Sequence, residues 1–564
     1  VRFGQTPVPK TANWDLSKLE KFAEWMSENV GPPTLPSKEQ SGFITEGTHQ
    51  FVGLQGPPGT GKTAGAMAPA VCARAYSAAS RGEDTNILVT ATSNTAIREL
   101  LENIAELTQK SQDSSNLEAS MSSIELVRIA DDRTDDAPDN VRYLSYNNSD
   151  DDAAIRKLGQ QMLSTSPPGE ENATADSPSQ ENAKTAAGDS QATLGQYDES
   201  SSGEESDDGE EAQQTVIFAT PSRAWRLIKE IISGKEDADV ASCECWDAVI
   251  VDEASMMTLP KFLLAGSGLR ETGQVLVGGD HRQLPPVQKH NWTEEPRRGI
   301  RSTVPYLSVL DYFRLLRGEE DVLDEDRLAD WHHDRNPDVT EIPLPRLSKT
   351  YRFGTTTADI LQKAVYRQDG IKYTSAVDPD PHISPDVQLP DFLAAVYENT
   401  APIILITYDS AKSYQQWNPI EELLTVALVN ALPAGVSRGV VTPHNAQRSR
   451  IQSQLSDSSG SDVDSDDETV ETVNRFQGGE ADVMLLSGTV SDPQYISDES
   501  EFLLSENRIN VSLSRHKEKL IMLVPRSILG FIPRDVDLYD EARIWKLLSK
   551  VSGESPTEIA QNAS

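Results

Sequence analysis

Short apolar runs recur along the chain, and helical patterns fill the intervals between many of them. The runs that predict buried strands are residues 87–90, 248–251, 274–277, 402–407, 439–442, 482–487 and 520–524. Helical periodicity is clearest in residues 95–107, 420–432 and 544–551. Because strands that alternate with helices form βαβ units, the pattern predicts parallel sheets covered on both faces. The number of strands is sufficient for two such sheets.

The length of the chain and its polar stretches predict the domain organisation. At 564 residues, the chain is too long for one ordinary hydrophobic core. We predict an α/β protein with a first domain over residues 1–345 and a second domain over residues 346–552. Residues 109–213 are rich in Ser, Asp, Glu, Gln and Gly, which predicts a long acidic, partly disordered insertion in the first domain. Residues 553–564 are predicted to form a disordered tail.

Within that insertion, only residues 124–129 and 141–146 have patterns typical of ordered structure. The acidic run 198–211 is predicted to be disordered. One interpretation is a regulatory insertion that binds a protein partner. The alternative is a solvated loop on a tolerant surface, which the composition favours.

The formal net charge of −38 changes the expected mode of ligand binding. Taken alone, it argues against a nucleic-acid-binding protein, because such proteins usually carry a basic footprint. One explanation is a highly acidic protein that repels partners or is disordered. The other is adaptation to a salty cytoplasm, in which salt screens the self-repulsion of the acidic surface. Acidic residues occur along the whole chain, which favours the second interpretation and a halophilic archaeon as the source. A polyanion would then bind in a local groove.

The cysteines and the apolar segments indicate a cellular compartment. Three cysteines, Cys72, Cys243 and Cys245, are too few for a disulfide scaffold and fit a reducing interior. No stretch approaches the roughly 20 apolar residues of a membrane span, and no secretory signal opens the chain. We therefore expect a cytoplasmic protein. Because the chain begins with Val1, we also expect a fragment of a longer polypeptide.

The strongest chemical signal is an octapeptide between an apolar strand at residues 51–54 and a helix-forming run at residues 64–79. It fits the phosphate-binding pattern G-x-x-x-x-G-K-[ST]. Glycines allow successive N–H groups to face an anion, and the helix adds its positive end. Lys62 would reach the β- and γ-phosphates, and Thr63 would hold Mg²⁺. The eight residues are Gly56, Pro57, Pro58, Gly59, Thr60, Gly61, Lys62 and Thr63.

Two later segments supply side chains for nucleotide hydrolysis. The apolar strand at residues 246–251 runs directly into Asp252 and Glu253. Asp252 would hold Mg²⁺, mostly through its water shell, and Glu253 would orient and deprotonate the attacking water. Gln283 lies in a Gly/Pro-rich loop after another apolar strand, where its amide could sense the γ-phosphate without adding charge.

The order of seven motifs resembles that of superfamily-one helicases. The motifs are GPPGTGKT, ILVTATSNTAIREL, VIVDEAS, GGDHRQLPP, LSKTYRFG, TVNRFQGGEADV and NRINVSLSRHK. Within the superfamily, the chain is similar to the group that contains the nonsense-mediated decay RNA helicase and the replication helicase-nuclease. The resemblance covers most of the chain outside the acidic insertion and the N-terminal segment. It implies two RecA-like domains, an AAA-type helicase core, with ATP in the cleft between them.

The resemblance assigns roles to five residues of the second domain. Arg352 and Arg515 match the family's two arginine fingers, which neutralise charge on the γ-phosphate oxygens in the transition state. Tyr351 would stack on the base of the nucleotide. Gly478 would permit close backbone approach, and Glu480 would accept hydrogen bonds from the ribose hydroxyls.

The resemblance also implies contacts to a nucleic-acid strand. Ser93 and Asn94 match a motif that touches the sugar–phosphate backbone, and Thr220 matches a second strand-contact motif. His444 stands where the family often has an aromatic residue, which implies a structural or strand-facing role. Family members also carry an adenine-reading glutamine before the phosphate loop. Neither glutamine in residues 37–50 fits that pattern, so adenine selectivity stays open.

Together these features imply an ATP hydrolase with ATP and Mg²⁺ as cofactors. The expected activity is that of a helicase or translocase that moves 5′ to 3′ on single-stranded DNA or RNA and unwinds duplexes. One alternative is an ATP-driven remodeller that strips proteins from nucleic acid. Another is a nucleotide-gated binding module in which hydrolysis only times release. A nuclease-linked helicase would need an acidic metal cluster or cysteines for an iron–sulfur cluster, and the sequence shows neither.

Overall fold

The computed structural model describes most of the chain. The described residues are 12, 14–30, 36–112, 117, 124–131, 138–164, 212–233, 243–288, 290, 292, 295–334, 341–377, 390–433, 435–458, 468–474, 476, 479–533, 539 and 542–551. The acidic run 198–211, the tail 553–564 and Gly478 lie outside them. In the part of the chain that is described, no helix has the length and apolar character needed to cross a membrane.

The first domain is built on a seven-stranded parallel sheet. Its strands are β1 (Phe51–Gln55), β2 (Thr85–Thr90), β3 (Ile124–Ile129), β4 (Val141–Leu144), β5 (Gln214–Phe218), β6 (Trp246–Val251) and β7 (Leu269–Gly279). Across the sheet they lie in the order β1-β7-β6-β2-β5-β3-β4. Because the strands are parallel, the loops that follow β1, β2, β6 and β7 leave the same edge of the sheet.

Helices cover both faces of this sheet, because alternate strand residues point to opposite sides. Ile87 and Val89 pack in a core with the helices Ala68–Ala79 and Asn94–Gln112, whereas Leu88 packs on the other face with the helix Pro221–Ser233. A π-helical turn at Thr63–Met67 leads into the first of these helices. The helices are α1 (Leu16–Asn29), α2 (Lys38–Ile44), α3 (Ala68–Ala79), α4 (Asn94–Gln112), α5 (Asp152–Ser164), α6 (Pro221–Ser233), α7 (Leu259–Ala265), α8 (Arg298–Arg301), α9 (Val309–Leu316) and α10 (Glu325–Asp334).

The strands of the second domain are β8 (Lys349–Gly354), β9 (Thr374–Val377), β10 (Ile403–Tyr408), β11 (Arg438–Thr442), β12 (Glu468–Thr472), β13 (Ala481–Ser487) and β14 (His516–Pro525). Five of them form a parallel sheet with the order β10-β14-β13-β11-β12, and β8 and β9 form a separate parallel pair. The helices are α11 (Thr355–Ala364), α12 (Asp391–Glu398), α13 (Pro419–Asn430), α14 (Asn445–Ser458), α15 (Pro493–Asp498), α16 (Ser500–Leu503), α17 (Glu506–Leu513), α18 (Arg526–Gly530) and α19 (Arg543–Val551).

The predicted fold class is confirmed, since two parallel sheets covered by helices form the two domains. The seven apolar runs named as strands fall in β2, β6, β7, β10, β11, β13 and β14. Residues 124–129 and 141–144 extend the first sheet as β3 and β4. Helix α5, inside the predicted insertion, was not predicted. Its apolar residues Ile155, Leu158 and Met162 have helical spacing and are buried in the core shared with α6, but polar residues surround them in the sequence.

An extended segment connects the two domains along the free edge of β1. The amides of Gly53 and Gln55 donate to the carbonyls of Pro343 and Pro345 at 2.8 and 3.0 Å, and the amide of Leu347 donates to the Gln55 carbonyl at 2.8 Å. The predicted domain boundary at residue 345 lies within this segment and stays a prediction. This pairing places the start of β8 next to the loop that follows β1.

Candidate nucleotide and nucleic-acid site

The loop after β1 has the backbone shape of an anion cradle. Gly59 and Gly61 have φ values of +69° and +70°, in the left-handed region that glycine occupies without strain. The Thr60 hydroxyl donates to the Pro57 carbonyl at 2.7 Å and closes the turn. The following helical turn begins at Thr63, so its free N–H groups face the loop. The predicted phosphate-binding loop therefore has the backbone that its chemistry needs.

Lys62 lies between the two carboxylates that follow β6. Its ammonium donates to Asp252 Oδ1 at 2.6 Å and to Glu253 Oε1 at 3.1 Å. Burial lowers the pKa of Lys62, but the two carboxylates outweigh burial and hold that pKa above its ordinary value. The lysine is therefore charged at neutral pH.

Thr63 and Asp252 have the right chemistry for Mg²⁺. The Thr63 hydroxyl donates to Asp252 Oδ2 at 2.9 Å, so two oxygen atoms of the kind that Mg²⁺ prefers lie side by side at the loop. Asp252 is only 1% exposed, and its backbone follows the buried strand β6. The residues present fit the predicted metal site.

Glu253 has a strained backbone. Its φ of +50° lies in the left-handed region, which costs a residue with a side chain on the order of 1–3 kcal/mol. The amide of Glu253 donates to Asp252 Oδ1 at 2.8 Å, which helps to hold this turn. The turn directs the two successive carboxylates to different places, so Asp252 meets Thr63 while Glu253 lines the cavity.

The second domain supplies both predicted arginines. In the register of the second sheet, Ala481 on β13 is opposite His516 on β14, so the residues just before them, Glu480 and Arg515, are neighbours. Arg515 is 4% exposed, and its Nη2 donates to Gln283 Oε1 at 3.1 Å. Burial, followed by the charge of Arg352, lowers the pKa of Arg515 to about 10, so the guanidinium remains charged at neutral pH.

Arg352 is held by an acidic partner in its own domain. Its Nε donates to Glu480 Oε2 at 2.8 Å, and its Nη1 donates to the Ser514 carbonyl at 2.9 Å. Lys517 also contacts Glu480, with an Nζ–Oε1 distance of 3.0 Å. Burial raises the pKa of Glu480, but Arg352 and Lys517 outweigh burial and lower it overall. Glu480 therefore already has two cationic partners at the position predicted for a ribose contact.

These side chains line a cavity of about 270 Å³ between the domains, which we call the nucleotide cavity after its predicted ligand. All eight residues of the phosphate-binding loop line it, as do Glu253, Gln283, Tyr351, Arg352, Glu480 and Arg515. Asp252 contacts this group through Lys62 and Thr63. The roles of these residues remain predictions, and Gly478 lies outside the described residues. The fold does bring together residues from both halves of the sequence around a space lined by the predicted phosphate-binding loop.

Two residues of the cavity wall were missed by sequence reasoning. Glu99 lies on α4, and its side chain is exposed at the wall of the cavity. Lys517 lies at the start of β14, two residues after Arg515. No local pattern separates Glu99 from the other polar residues of an amphipathic helix. Nearness to Arg515 in the sequence is the signal that could have identified Lys517.

Gln40 is hydrogen-bonded to the backbone of the predicted phosphate-binding loop. It is 3% exposed, and its Nε2 donates to the carbonyls of Thr60 and Gly61 at 3.1 and 3.2 Å. Its Oε1 accepts from the Ser37 amide at 2.6 Å in the capping box of α2. The Ser37-x-x-Gln40 spacing is the signal that could have identified this glutamine. Both polar groups of its amide are thus used within the protein.

A surface groove passes from the first domain to the second beside the nucleotide cavity. We define it as two neighbouring cavities, of about 470 and 320 Å³, that share Asn474. The first-domain part is lined by residues that include Thr92, Ser93, Thr95, Thr258 and Lys261, and the second-domain part by Gln416, His444, Asn445, Phe502 and Arg508. Glu99 and Glu253 line both the groove and the nucleotide cavity, so they form a common wall.

The predicted strand contacts differ in their location. Ser93 lines the surface groove, and its Oγ accepts from the Ala96 amide at 3.1 Å as α4 begins. The Asn94 side-chain oxygen accepts from Arg128 at 2.9 Å. Thr220 precedes α6, and its carbonyl accepts the Ala224 amide. Of the three, the structure thus brings Ser93 to the groove.

Family models match both domains of the chain. A model described as an AAA domain matches residues 37–291, and another AAA domain model matches residues 338–527. The chain carries the two core domains of a superfamily-one helicase. Each match covers the sheet of one domain, so this core contains the nucleotide cavity and the surface groove.

Several curated proteins resemble this helicase core in sequence. DNA replication ATP-dependent helicase/nuclease JHS1 of Arabidopsis thaliana is 27% identical over 300 residues, which cover 51% of this chain and 19% of that protein. DNA polymerase alpha-associated DNA helicase A of Saccharomyces cerevisiae is 25% identical, with coverage of 53% and 42%. An uncharacterized ATP-dependent helicase of Methanocaldococcus jannaschii is 23% identical, with coverage of 62% and 44%. The chain spans less than half the length of each relative.

Proposed function

We propose that this chain is the motor of an ATP-dependent helicase that moves on single-stranded nucleic acid. The observation that carries the proposal is the composition of the nucleotide cavity. The first domain contributes Lys62 and Glu253, and the second contributes Arg352 and Arg515. Since neither domain alone holds the full set, hydrolysis depends on closure of the domains.

The residues of the first domain bind the nucleotide and activate water. Lys62 exchanges its contacts with Asp252 and Glu253 for the β- and γ-phosphates, which frees the Glu253 carboxylate. Glu253 then orients a water molecule for in-line attack and accepts its proton. Thr63 and Asp252 would hold Mg²⁺, which when bound supplies positive charge to the phosphate oxygens.

The second domain completes the site. Arg515 is buried and charged, so its guanidinium can neutralise charge that develops on the γ-phosphate oxygens. Arg352 reaches the same cavity from β8, and it can exchange its contact with Glu480 for a phosphate oxygen. The common wall of Glu99 and Glu253 adjoins the surface groove, so opening and closing of the cavity would displace a strand bound there.

The chemistry of the surface groove supports sequence-independent binding. Hydroxyl and amide side chains, including Ser93, Thr95 and Asn474, can donate to backbone phosphates without adding charge. His444 is stacked on Phe502 with ring centroids 5.7 Å apart and an interplanar angle of 24°. Aromatic faces of this kind accept any base. We further propose 5′ to 3′ movement, on the basis of the resemblance in motif order.

Two substitutions test the assigned chemistry. We expect Lys62→Ala to weaken ATP binding and abolish turnover. We expect Glu253→Gln to bind ATP and to lose about 10²- to 10⁴-fold in hydrolysis rate, because the general base is removed. Glu244→Gln removes an exposed carboxylate just before β6 and should behave as the wild type. Strand-stimulated ATP hydrolysis that persists in Glu253→Gln would contradict the assignment of the base.

The substrate is tested with the wild-type protein. ATP hydrolysis is measured with single-stranded DNA, single-stranded RNA or no strand, and duplex unwinding is measured with overhangs of both polarities. Stimulation by a strand together with unwinding from a 5′ overhang is the expected result. Stimulation without unwinding, accompanied by removal of a bound protein from the strand, would instead indicate a nucleoprotein remodeller.

The same assays need a range of salt concentrations. We infer adaptation to high salt from the net charge of −38, because self-repulsion of an acidic surface is strongest when salt is low. We expect the unfolding temperature and the ATP hydrolysis rate to rise with salt. A protein that is equally stable in dilute buffer would contradict that inference.

A further inference from the structure

A hydrogen-bonded connection joins the two domains beside the nucleotide cavity. The hydroxyl of Tyr366, just after α11 in the second domain, donates to Asp280 Oδ2 at 2.7 Å. Asp280 follows β7 in the first domain, and it also accepts from Gln283 Nε2 at 3.1 Å. Tyr366 is fully buried, Asp280 is 1% exposed and Gln283 is 7% exposed. Because water hardly reaches these groups, each needs its partner.

Gln283 transmits this connection to the arginine. Its Nε2 is engaged by Asp280, which leaves Oε1 to accept from Arg515 Nη2 at 3.1 Å. The reverse orientation of the amide would place a donor against the guanidinium and an acceptor against the carboxylate. Asp280 therefore determines which end of the Gln283 amide faces Arg515.

Asn510 determines the direction in which the Tyr366 hydroxyl points. The Asn510 Nδ2 donates to the Tyr366 oxygen at 2.9 Å and to the Arg282 carbonyl at 2.8 Å. Since the tyrosine oxygen accepts from Asn510, its proton is directed to Asp280. Burial raises the pKa of Asp280 above its ordinary value, and the hydrogen bonds from Tyr366 and Gln283 oppose that rise only in part.

We propose that Tyr366 is a positioning residue for ATP hydrolysis, which holds Asp280 and thereby orients Gln283 and the Arg515 guanidinium at the nucleotide cavity. The inference rests on the function proposed above. Tyr366 and Arg515 belong to the second domain, whereas Asp280 and Gln283 belong to the first. The connection is therefore complete only when the domains are closed, and it links closure to the orientation of the arginine.

The test begins with Tyr366→Phe, which removes only the hydroxyl. We expect the kcat of strand-stimulated ATP hydrolysis to fall about tenfold, as for the loss of one buried hydrogen bond, with the KM for ATP unchanged. Tyr397→Phe is the matched control. Its buried hydroxyl donates to the Leu428 carbonyl at 2.6 Å within the second domain, and its loss should leave kcat unchanged.

A double-mutant cycle separates positioning from general structural support. In a Gln283→Ala background, Tyr366→Phe should change kcat by less than about twofold, because the connection to Arg515 is already broken. An equal loss of kcat in both backgrounds would overturn the proposal, as would wild-type kcat in Tyr366→Phe. If Tyr366→Phe does not fold, Asp280→Asn takes its place in the cycle with the same expectations. A wild-type protein without strand-stimulated hydrolysis would overturn the proposed function and this inference together.

Discussion

The backbone amide of Tyr351 donates to the carbonyl of Gly59 at 2.8 Å, so a strand of the second domain is hydrogen-bonded to the phosphate-binding loop of the first. The Tyr373 hydroxyl adds a bond to the Pro58 carbonyl at 2.5 Å. Arg352, next to Tyr351, therefore reaches the nucleotide cavity from a strand that contacts the loop directly. The position of this arginine depends on how closely β8 can approach the loop.

Gly59→Ala tests that close approach. A Cβ at Gly59 would lie 2.5 Å from Arg352 Cβ and would also overlap the Thr350 hydroxyl. We expect β8 to be pushed away and the ATP hydrolysis rate to fall by about tenfold or more, because the arginine is displaced from the phosphates. Single-turnover hydrolysis measured alongside ATP-analogue binding separates this effect from weaker nucleotide binding.

The control for Gly59→Ala is Gly82→Ala. Gly82 has a φ of +67°, almost equal to that of Gly59, but a Cβ there would meet nothing within 4 Å. The substitution should cost about 1 kcal/mol of stability through backbone strain and leave hydrolysis unchanged. If both variants hydrolyse ATP at the wild-type rate, closure of β8 onto the loop is not required.

Arg515 should tolerate no substitution, because it is buried and makes a directional contact with Gln283. We expect Arg515→Ala to lower the hydrolysis rate by on the order of 10³-fold or more. Arg515→Lys should also be impaired, since an ammonium cannot reproduce the planar guanidinium contacts. Single-turnover kinetics with saturating ATP measure the effect. A loss of only a few-fold would indicate that Arg515 is structural.

His444 should make the folded protein sensitive to acid. Burial lowers its pKa from 6.5 to about 4, so between these values the unfolded chain binds the proton more tightly than the folded one. The free energy of unfolding should therefore decrease as pH falls from 6.5 to 4, and His444→Phe should remove that part of the decrease. Urea unfolding at a series of pH values measures it.

His332 supplies the comparison for His444. Its side chain is 49% exposed, so His332→Phe should change the free energy of unfolding at neutral pH by less than about 0.5 kcal/mol. At neutral pH the His444 ring is uncharged, and we expect strand affinity to be independent of the protonation of this ring between pH 6 and 8. An unfolding profile for His444→Phe that parallels the wild type at every pH would contradict the assigned shift.

The ion pair between Arg270 and Asp247 should contribute to the stability of the first domain. Arg270 Nη1 lies 2.5 Å from Asp247 Oδ1, and both side chains are 4% exposed. We expect Arg270→Met to destabilise the protein by about 3–5 kcal/mol, because a buried carboxylate loses its charged partner. Denaturant unfolding monitored by circular dichroism measures the change.

An exposed ion pair provides the contrast. Arg526 and Asp409 are 3.0 Å apart, with side chains 40% and 76% exposed. Arg526→Met should cost about 0–1 kcal/mol, because water screens the pair. Equal destabilisation by the two substitutions would show that burial of the Arg270 pair has no special importance.

The sequence by itself determined those elements whose characteristic residues lie in one continuous segment of the chain. The predicted phosphate-binding loop consists of eight adjacent residues, so a local pattern identifies it. The strand that ends in Asp252 and Glu253 is identified in the same way, because its apolar run and its carboxylates are neighbours in the chain. Parallel strands buried on both faces are continuous apolar runs, so the fold class followed from the pattern alone. The polar composition of residues 109–213 predicted a partly disordered insertion, and this composition concealed helix α5 within it.

Only the tertiary structure decided which distant residues meet. Gln40 lies beneath the phosphate-binding loop, Arg352 pairs with Glu480, and Tyr366 bonds to Asp280 across the two domains. Periodicity shows which face of an element is buried, but it carries no information about the partner on that face. The choice depends on strand order, register and the packing of one domain on the other, and these are set by the chain as a whole.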